Sequence, residues 1–541
     1  MELSLSLRKS NADKLKSQIF DVLVIGGGIN GAVSAAALSA KGSSVALLEK
    51  KDFASFTSQE SSNLAWGGIK YMESYEFGLV WNLCGSRNRL IRSFPSQVKE
   101  IRFFTSLPKK FRKPRILIYL GAWLYWFMGR FFTESPRLLS NKIINRDAPQ
   151  VNTEQTEGGV EYSDSYLIDN DARFVFKFIR KAMDYGCAAV NYMEVKNLDF
   201  DAEQKIWTTT VLDHISKSTF TVRSRSIVNA TGPFVDSTNG EAEVSTNHHH
   251  LFSKGVHLIV RQLSHERRVL TFFASDGRMF FVIPMGPRSC IGTTDTRVTE
   301  LPAKVTQEDR EFILSNINLR LNLEQPLTED DIIAERCGVR PLVVDGENQS
   351  QDGDWMNLSR KHAIEVDRNS RYISIFGGKL TDCINIGEEI VDEIKSLNID
   401  LPSPKNQWFG EPDDAVWKEF QKQARLIGLD GLTNVRSSEP LSVRLWRRYG
   451  MRALELLEDI RQDIHMADLV IEDAEYIRAE LCYAAKSEMI TKLEDFLRRR
   501  SKIALVVGRE TIKKAPGLKE ACDILFADES EERYQEYFQS T

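Results

Sequence analysis

Between Phe20 and Ile25 the chain reads FDVLVI, a short apolar run rich in β-branched residues, which breaks at Gly26-Gly27-Gly28-Ile29-Asn30-Gly31. An alanine-rich stretch of helical composition follows, AVSAAALSAKG, and then a second apolar run, Ser44 to Leu48, closed by Glu49. Strand, glycine turn, helix and strand in that order make one βαβ unit. Ile227 to Pro233 (IVNATGP) reads as a short strand ending in Ala-Thr-Gly, and Phe281 to Thr296 (FVIPMGPRSCIGTTDT) as two strands around a turn. Tyr372 to Thr381 (YISIFGGKLT) reads as a strand, then Gly377-Gly378, then the start of a helix. Two prolines and a glycine in residues 403–415 break the pattern. Beyond them Ala415 to Gln423, Ser442 to Asp463, Asp473 to Ala485 and Met489 to Arg500 have amphipathic helical spacing, and Glu529 to Arg533 reads as a frayed, solvated helix. The expected organisation is a short mobile lead (1–17), a mixed α/β region (18–402) and a C-terminal helical domain (412–541).

One apolar run stands apart. Ile116 to Gly129 (ILIYLGAWLYWFMG) has 14 residues, about 21 Å as a helix against a hydrocarbon core of about 30 Å, so it cannot span a bilayer. KKFRKPR, Lys109 to Arg115, precedes it with five cations in seven residues, and Arg130 follows. Tyr119, Trp123, Tyr125 and Trp126 add rings that favour an interface. Two readings stand: a wedge on an anionic membrane surface, or a helix buried under a sheet.

Each residue of the first glycine turn has a physical task in dinucleotide binding. Gly26 permits the tight turn, Gly28 lets backbone approach a pyrophosphate, and Gly31 lets the helix lie close to the strand. The helix N-terminus then faces the phosphates, and Glu49 is placed to accept ribose hydroxyls. NAD and FAD both fit this much. Thr57 to Met72 (TSQESSNLAWGGIKYM) is a hydroxyl-rich loop running into Gly67-Gly68, suited to wrapping a diphosphate and approaching a flat ring.

Composition narrows the function. At 42% hydrophobic and 27% charged residues the chain is ordinary globular protein, which excludes disordered, collagen-like and polytopic membrane classes. Its net charge of −5 gives no field for nucleic acid. Seven cysteines without a CxxC pair predict neither disulfides nor a metal site, and the His248-His249-His250 triplet reads as a solvated loop. The first 19 residues lack the apolar core of a signal peptide, so a cytoplasmic chain is expected, with the inner face of the cytoplasmic membrane as the place where the apolar wedge would dock.

The order GGGING, SS-x-L-x-x-GG-x-x-Y, YSD with DAR (Tyr162 to Arg173), IGTTDT, GVRPL (Gly338 to Leu342), GGKLT, and a tail block YAAKSEMITKLEDFLRRRSKI resembles the FAD-dependent glycerol-3-phosphate dehydrogenases, from about residue 18 to about residue 502. The resemblance implies a Rossmann-like FAD-binding domain of the D-amino-acid-oxidase type, interleaved with an antiparallel substrate-binding sheet and followed by a helical domain. It implies FAD as cofactor, a phosphorylated polyol as substrate, a quinone acceptor at a membrane, no nucleic acid, and a homodimer as a candidate assembly. The cofactor set it implies is Gly26, Gly28, Gly31, Glu49, Thr57, Ser58, Ser61, Ser62, Gly67, Gly68, Ala230, Thr231, Gly232, Gly377, Gly378, Lys379, Leu380 and Thr381.

Oxidising a secondary alcohol requires a base for the hydroxyl proton and cations for the substrate's anionic end. His257 (KGVHLIV), in a segment that matches the family, is the candidate base, against a structural strand histidine. Arg340 and Lys379 lie in apolar or glycine-rich surroundings where an unpaired charge is costly to bury, so each wants an anion, either substrate or a structural Asp or Glu. These three are the expected catalytic residues. Lys70, Tyr71 and Arg360 join Arg340 and Lys379 as the substrate set, while Asp164, Asp171 and Arg173 read as structural. The sequence departs from the family pattern at Asn63 and Trp66, where it usually has lysine and histidine, at Lys70, where it has arginine, and at Asp382 and Ile384, where it has threonine and arginine. These departures keep open a different hydroxy acid or amino acid as substrate, and a flavin-binding module without catalysis.

Overall fold

A computed structural model describes residues 3–274, 276–346, 361–435, 437–471 and 475–539. Its organising element is a six-stranded sheet in the order Ala363–Asp367, Tyr372–Phe376, Ile227–Asn229, Val22–Ile25, Val45–Leu48, Ala188–Val190. All neighbours run parallel except the first pair. Its central strands Val22–Ile25 and Val45–Leu48 are continuously apolar because both faces are covered, one by helices and the other by a four-stranded sheet that sets Leu198, Trp207, Val211 and Val222 against Leu23, Ile25, Ala46 and Leu48. Ile29–Ala40 packs on the sheet through small side chains, and Asp171–Asp184 and Cys383–Ser396 pack against that helix. The carboxyl ends of four strands, at Gly26, Glu49, Ala230 and Gly377, therefore open onto one edge, where a parallel sheet binds ligands.

The second layer is a large, mostly antiparallel sheet. Its longest strand, His248–Arg261, lies near one edge and pairs on one side with Ala334–Asp345 and on the other with Arg288–Gly292. Met279–Met285, Arg268–Phe273, Val98–Pro108 and Thr156–Leu167 continue it, with one parallel pairing, Arg268–Phe273 on Val98–Pro108. Ser253 lies opposite Arg340 and His257 opposite Arg336, so period-two alternation puts Ser253, Gly255, His257, Arg336, Gly338 and Arg340 on one face. A Cβ at Gly255 would sit 2.4 Å from the Arg340 Nη2, so only glycine lets that guanidinium lie across the strand.

Four expectations change. The mobile lead is a helix, Leu3–Ser17, whose Arg8 forms a paired ion bridge to Asp213 and whose Leu15 is buried against Phe20 and Trp207. The histidine triplet opens the strand His248–Arg261 rather than lying in a loop. His250 is buried and its Nε2 accepts the Gly377 N–H at 3.0 Å. The C-terminal helices Asp414–Leu426, Leu441–Tyr449, Ala453–Gln462 and Arg478–Ser487 are present, but Ser442 to Asp463 is split at Gly450 (φ +54°). Met489 to Arg500 is helical only from Leu493 onward, and is π-wound over Asp495–Arg500. Asp473 lies outside the described residues. The Glu529 to Arg533 run belongs to a packed helix, Ser530–Gln539, where Arg533 bridges Glu529 and Glu536 while Tyr534, Tyr537 and Phe538 reach the core.

Candidate active site

Two connected cavities occupy the junction of the two sheets. The first, about 220 Å³, is lined by Gly26, Gly28, Glu49, Thr57, Ser58, Ala230, Thr231, Gly232, Gly377 and Gly378. The second, about 300 Å³, is lined by Thr57, Ser61, Ser62, Trp66, Lys70, Tyr71, His257, Arg340 and the run from Gly378 to Thr381. Thr57, Pro341 and Gly378 border both.

The first cavity has the features that a dinucleotide needs. Gly26 takes φ +102°, and a Cβ there would collide with the Ala230 carbonyl at 2.5 Å. At Gly31 a Cβ would sit 1.9 Å from the Gly26 carbonyl oxygen, so this glycine serves helix packing and lines no cavity. A Cβ at Gly28 would meet only the Ser58 hydroxyl, at 3.2 Å, so Gly28 faces open cleft. Ser58 Oγ accepts the Ile29 N–H at 3.0 Å, and Asn30 holds the second glycine turn through a 2.9 Å bond to the Gly377 carbonyl. Glu49 accepts the Gly27 N–H at 2.7 Å and the Lys51 N–H at 2.9 Å, one on each oxygen, leaving a further lone pair on each. Burial raises its pKa.

In the second cavity Arg340 reaches Asp295 at 3.3 Å and donates to Thr293 Oγ1 at 3.1 Å. The Lys379 ammonium lies 4.0 Å from the centre of the Tyr71 ring. His257 is buried, and its Nδ1 has no hydrogen-bond partner among the described residues. Burial, with Arg340 and Arg336 adding positive field, pushes its pKa down to about 3, so the imidazole is neutral and able to take a proton. Arg360 lies outside the described residues. Gly67 and Gly68 line neither cavity: the Tyr125 hydroxyl fills the place of a side chain at Gly67, and Gly68 makes a left-handed turn against Tyr71.

Only two of the departures face the cavity, Trp66 and Lys70. Asn63 turns away, accepting from Arg336 and donating to the Asp169 carbonyl. Asp382 bonds Ser86, Asn385 and His362, and Ile384 is buried in the core of the parallel sheet. Asp164, Asp171 and Arg173 take the structural roles expected of them. Asp164 accepts from the Gly67 N–H and the Tyr125 hydroxyl, Asp171 from Ser61 and Arg336, and Arg173 bridges to Glu488.

The FAD dependent oxidoreductase pattern matches residues 21–360. The chain belongs to the FAD-dependent oxidoreductase family. Residues 417–525 of this flavoprotein match the C-terminal domain of alpha-glycerophosphate oxidase. Over 521 residues it is 29% identical to the aerobic glycerol-3-phosphate dehydrogenase of Staphylococcus aureus (strain MRSA252), covering 93% of this chain and 90% of that protein. Its fold is similar to the glycerol-3-phosphate dehydrogenase from Bacillus halodurans complexed with FAD, with a TM-score of 0.73, 25% identity, and 100% and 97% of the two chains covered. It also resembles L-alpha-glycerophosphate oxidase from Mycoplasma pneumoniae with FAD bound, with a TM-score of 0.54 at 18% identity over 72% and 97% of the two chains.

The residues of the flavoprotein fit its cofactor: the open side of Gly28, the remaining lone pairs of Glu49 and the second glycine turn at Gly377-Gly378 lie along one cleft that leads to His257. What the sequence reading missed is the support behind that cleft. Arg498 reaches Glu60 and the Gln59 carbonyl, while Arg499 and Arg500 both bond Asp52, so three consecutive buried arginines of the C-terminal domain hold the segment that carries Thr57 and Ser58. A run of three arginines ordinarily marks a solvated face, and only its place in the tail block pointed inward. Glu60, Arg278 and Asp295 also line the second cavity and went unassigned.

Proposed function

We propose that the protein oxidises glycerol 3-phosphate to dihydroxyacetone phosphate and passes the electrons to a membrane quinone. The observation that carries this reading is a single cavity, continuous with the dinucleotide cleft, in which two cations, Arg340 and Lys379, share the walls with a neutral buried imidazole, His257. Arg340 and Lys379 hold the substrate phosphate, and His257 receives the proton of the secondary hydroxyl. Bound FAD supplies the two-electron acceptor for the hydride that leaves the same carbon. Burial is the main reason His257 is neutral, and a phosphate dianion beside Arg340 offsets the positive field that adds to it, so the imidazole gains basicity as substrate arrives. Dye-linked turnover against phosphorylated polyols, hydroxy acids and amino acids tests the assignment. Preference for glycerol 3-phosphate over glycerol is expected, and its absence would remove the phosphate role. The second reading, a different hydroxy or amino acid of the same flavin chemistry, rests on Trp66 and Lys70 facing the cavity and is scored by the same panel.

The quinone half of the proposal rests on the helix Arg115–Met128. Ile116, Leu117, Leu120, Trp123, Leu124 and Phe127 are exposed along one helical stripe, with Phe131 and Trp81 exposed beside it. Ala122, Tyr125 and Met128 face the core, so the helix is half buried. Two of the rings expected at an interface turn inward: Tyr125 donates to Asp164, and Trp126 Nε1 donates to the Thr133 carbonyl. No helix among the described residues is long and apolar enough to cross a membrane. The stripe, flanked by exposed Lys109, Lys110 and Arg130, suits an anionic bilayer surface where a quinone is at hand.

A further inference from the structure

Away from the flavin cleft, a groove of about 400 Å³ lies between the helix Asp171–Asp184, residues 407–413 and the C-terminal helices, and it shares no lining residue with either active-site cavity. That volume falls within the range of small-molecule sites. The helix lines the groove with Arg173, Lys177 and Lys181, each four residues from the next. Like charges at that spacing repel, so a cationic stripe on a groove wall is unfavourable without a compensating anion. Two neighbouring arginines are already compensated: Arg173 bonds Glu488 at 2.6 Å, and Arg180 bonds Asp184 at 2.9 Å. Lys177 is not. Among the described residues it has no hydrogen-bond or ion-pair partner; the carboxylate that acts on it most strongly, Glu411, uses only its Oε1 for the Ser96 N–H and hydroxyl, at 2.7 and 2.6 Å, and makes no ion pair with the ammonium. The surrounding protein lowers the Lys177 pKa to about 8 by desolvation, although the side chain remains partly exposed to the groove. The remaining walls mix two nearly buried rings, Trp408 packed on Phe178 and Tyr449 under the Arg173 guanidinium, with the charged Glu411, Asp413, Arg448 and Arg452.

We propose that this groove binds a small organic anion, a phosphate or carboxylate carried on an apolar or aromatic body, with Lys177 taking the charged group and Trp408 and Tyr449 the body. The helix that carries Lys177 begins at Asp171, whose carboxylate accepts both the N–H and the hydroxyl of Ser61 in the substrate cavity. An occupant of the groove therefore sits on the same rigid element that fixes one wall of the active site.

The test uses the full-length FAD-loaded protein and three probes: 1-naphthyl phosphate, decanoate and inorganic phosphate. Calorimetry is run on an Arg340→Ala background, so that the substrate cavity does not respond and the result is independent of the substrate assignment. At least one of the two probes with an apolar body should bind about ten-fold or more tightly than inorganic phosphate, and Lys177→Met should weaken it about ten-fold or more. Binding of all three at equal strength would overturn the ligand class, and undiminished binding to Lys177→Met would overturn the site. Should that variant fail to fold, labelling of the wild-type holoprotein with pyridoxal 5′-phosphate and borohydride decides. Lys177 is expected to be modified ahead of exposed lysines and to be protected by the probe that binds. Labelling no faster than that of surface lysines, or unchanged by the probe, would reject the proposal.

Discussion

Asp52 is the keystone of the link between the C-terminal domain and the cofactor segment, and replacing it with asparagine isolates its charge. The carboxylate is fully buried and accepts from Arg499 Nε at 2.6 Å, Arg500 Nη1 at 2.8 Å, Arg500 Nη2 at 2.9 Å and Asn191 at 3.0 Å. Arg499 keeps Asp495 as a second partner at 2.8 Å. Arg500 keeps the Glu488 carbonyl and the face of the Phe176 ring at 4.0 Å but no other carboxylate among the described residues, so Asp52→Asn leaves one buried guanidinium without a counter-charge. Breaking such a pair costs about 3–5 kcal/mol. With an unfolding entropy of about 2.1 cal/mol/K per residue, a cooperative unit of this chain's length loses about 1 °C per kcal/mol, or about 3–5 °C in all; a smaller unit loses more. Flavin fluorescence released on heating gives the midpoint, and flavin content after gel filtration gives retention; both should fall. Arg500→Met added to Asp52→Asn should recover most of the loss, because the orphaned charge is then gone. A single variant that melts with the wild type and keeps its flavin, or a double variant that is no better than the single, would refute the reasoning. The pH sign agrees with the geometry. Arg500 and Arg499 hold the Asp52 pKa below its ordinary value, so this stabilisation is present above that value and is lost as pH falls through the depressed one.

Gly28→Val should yield colourless protein, because the added side chain enters the space left for the pyrophosphate; a yellow variant with normal flavin would show the cleft to be used differently. Arg340→Ala should lower kcat/KM on glycerol 3-phosphate by about 2–5 kcal/mol in transition-state terms with flavin content unchanged, and full activity would remove Arg340 from phosphate binding. In the substrate-free protein the His257 imidazole should stay neutral by ¹⁵N NMR as pH falls well below 6.5, and titration at the ordinary value would contradict its burial. His257→Gln should slow flavin reduction without weakening substrate binding. Leu120→Asp together with Phe127→Asp should release the protein from anionic vesicles in flotation while leaving dye-linked turnover intact, and continued flotation would move the docking surface elsewhere.

The features legible in the sequence are those that neighbouring residues determine among themselves. The turn at Gly26 to Gly31 needs a positive φ at Gly26 and a close approach of Gly31 to the Gly26 carbonyl, both set within six residues, and the distant Ala230 carbonyl against Gly26 only reinforces the choice of glycine. Glu49 follows because one helix and one strand separate it from that turn. Ordered family motifs then carried His257, Arg340 and Lys379 to one cavity, although they come from three separate strands or turns. What stayed hidden is set by partners hundreds of residues away. Arg8 orders the first helix only because Asp213 is there, and His250 belongs to a strand because Ala334–Asp345 runs beside it and Gly377 donates to its ring. The arginines at 498–500 carry no periodicity that distinguishes a buried clamp from a solvated run, since the carboxylates that decide it, Asp52 and Glu60, lie more than 400 residues upstream. The same reasoning explains why the apolar helix divided the two readings made of it. Its inward face was fixed by Asp164 reaching Tyr125, and its outward stripe was left by the absence of any described element over Leu120 and Phe127, so burial and exposure are both properties of one 14-residue segment.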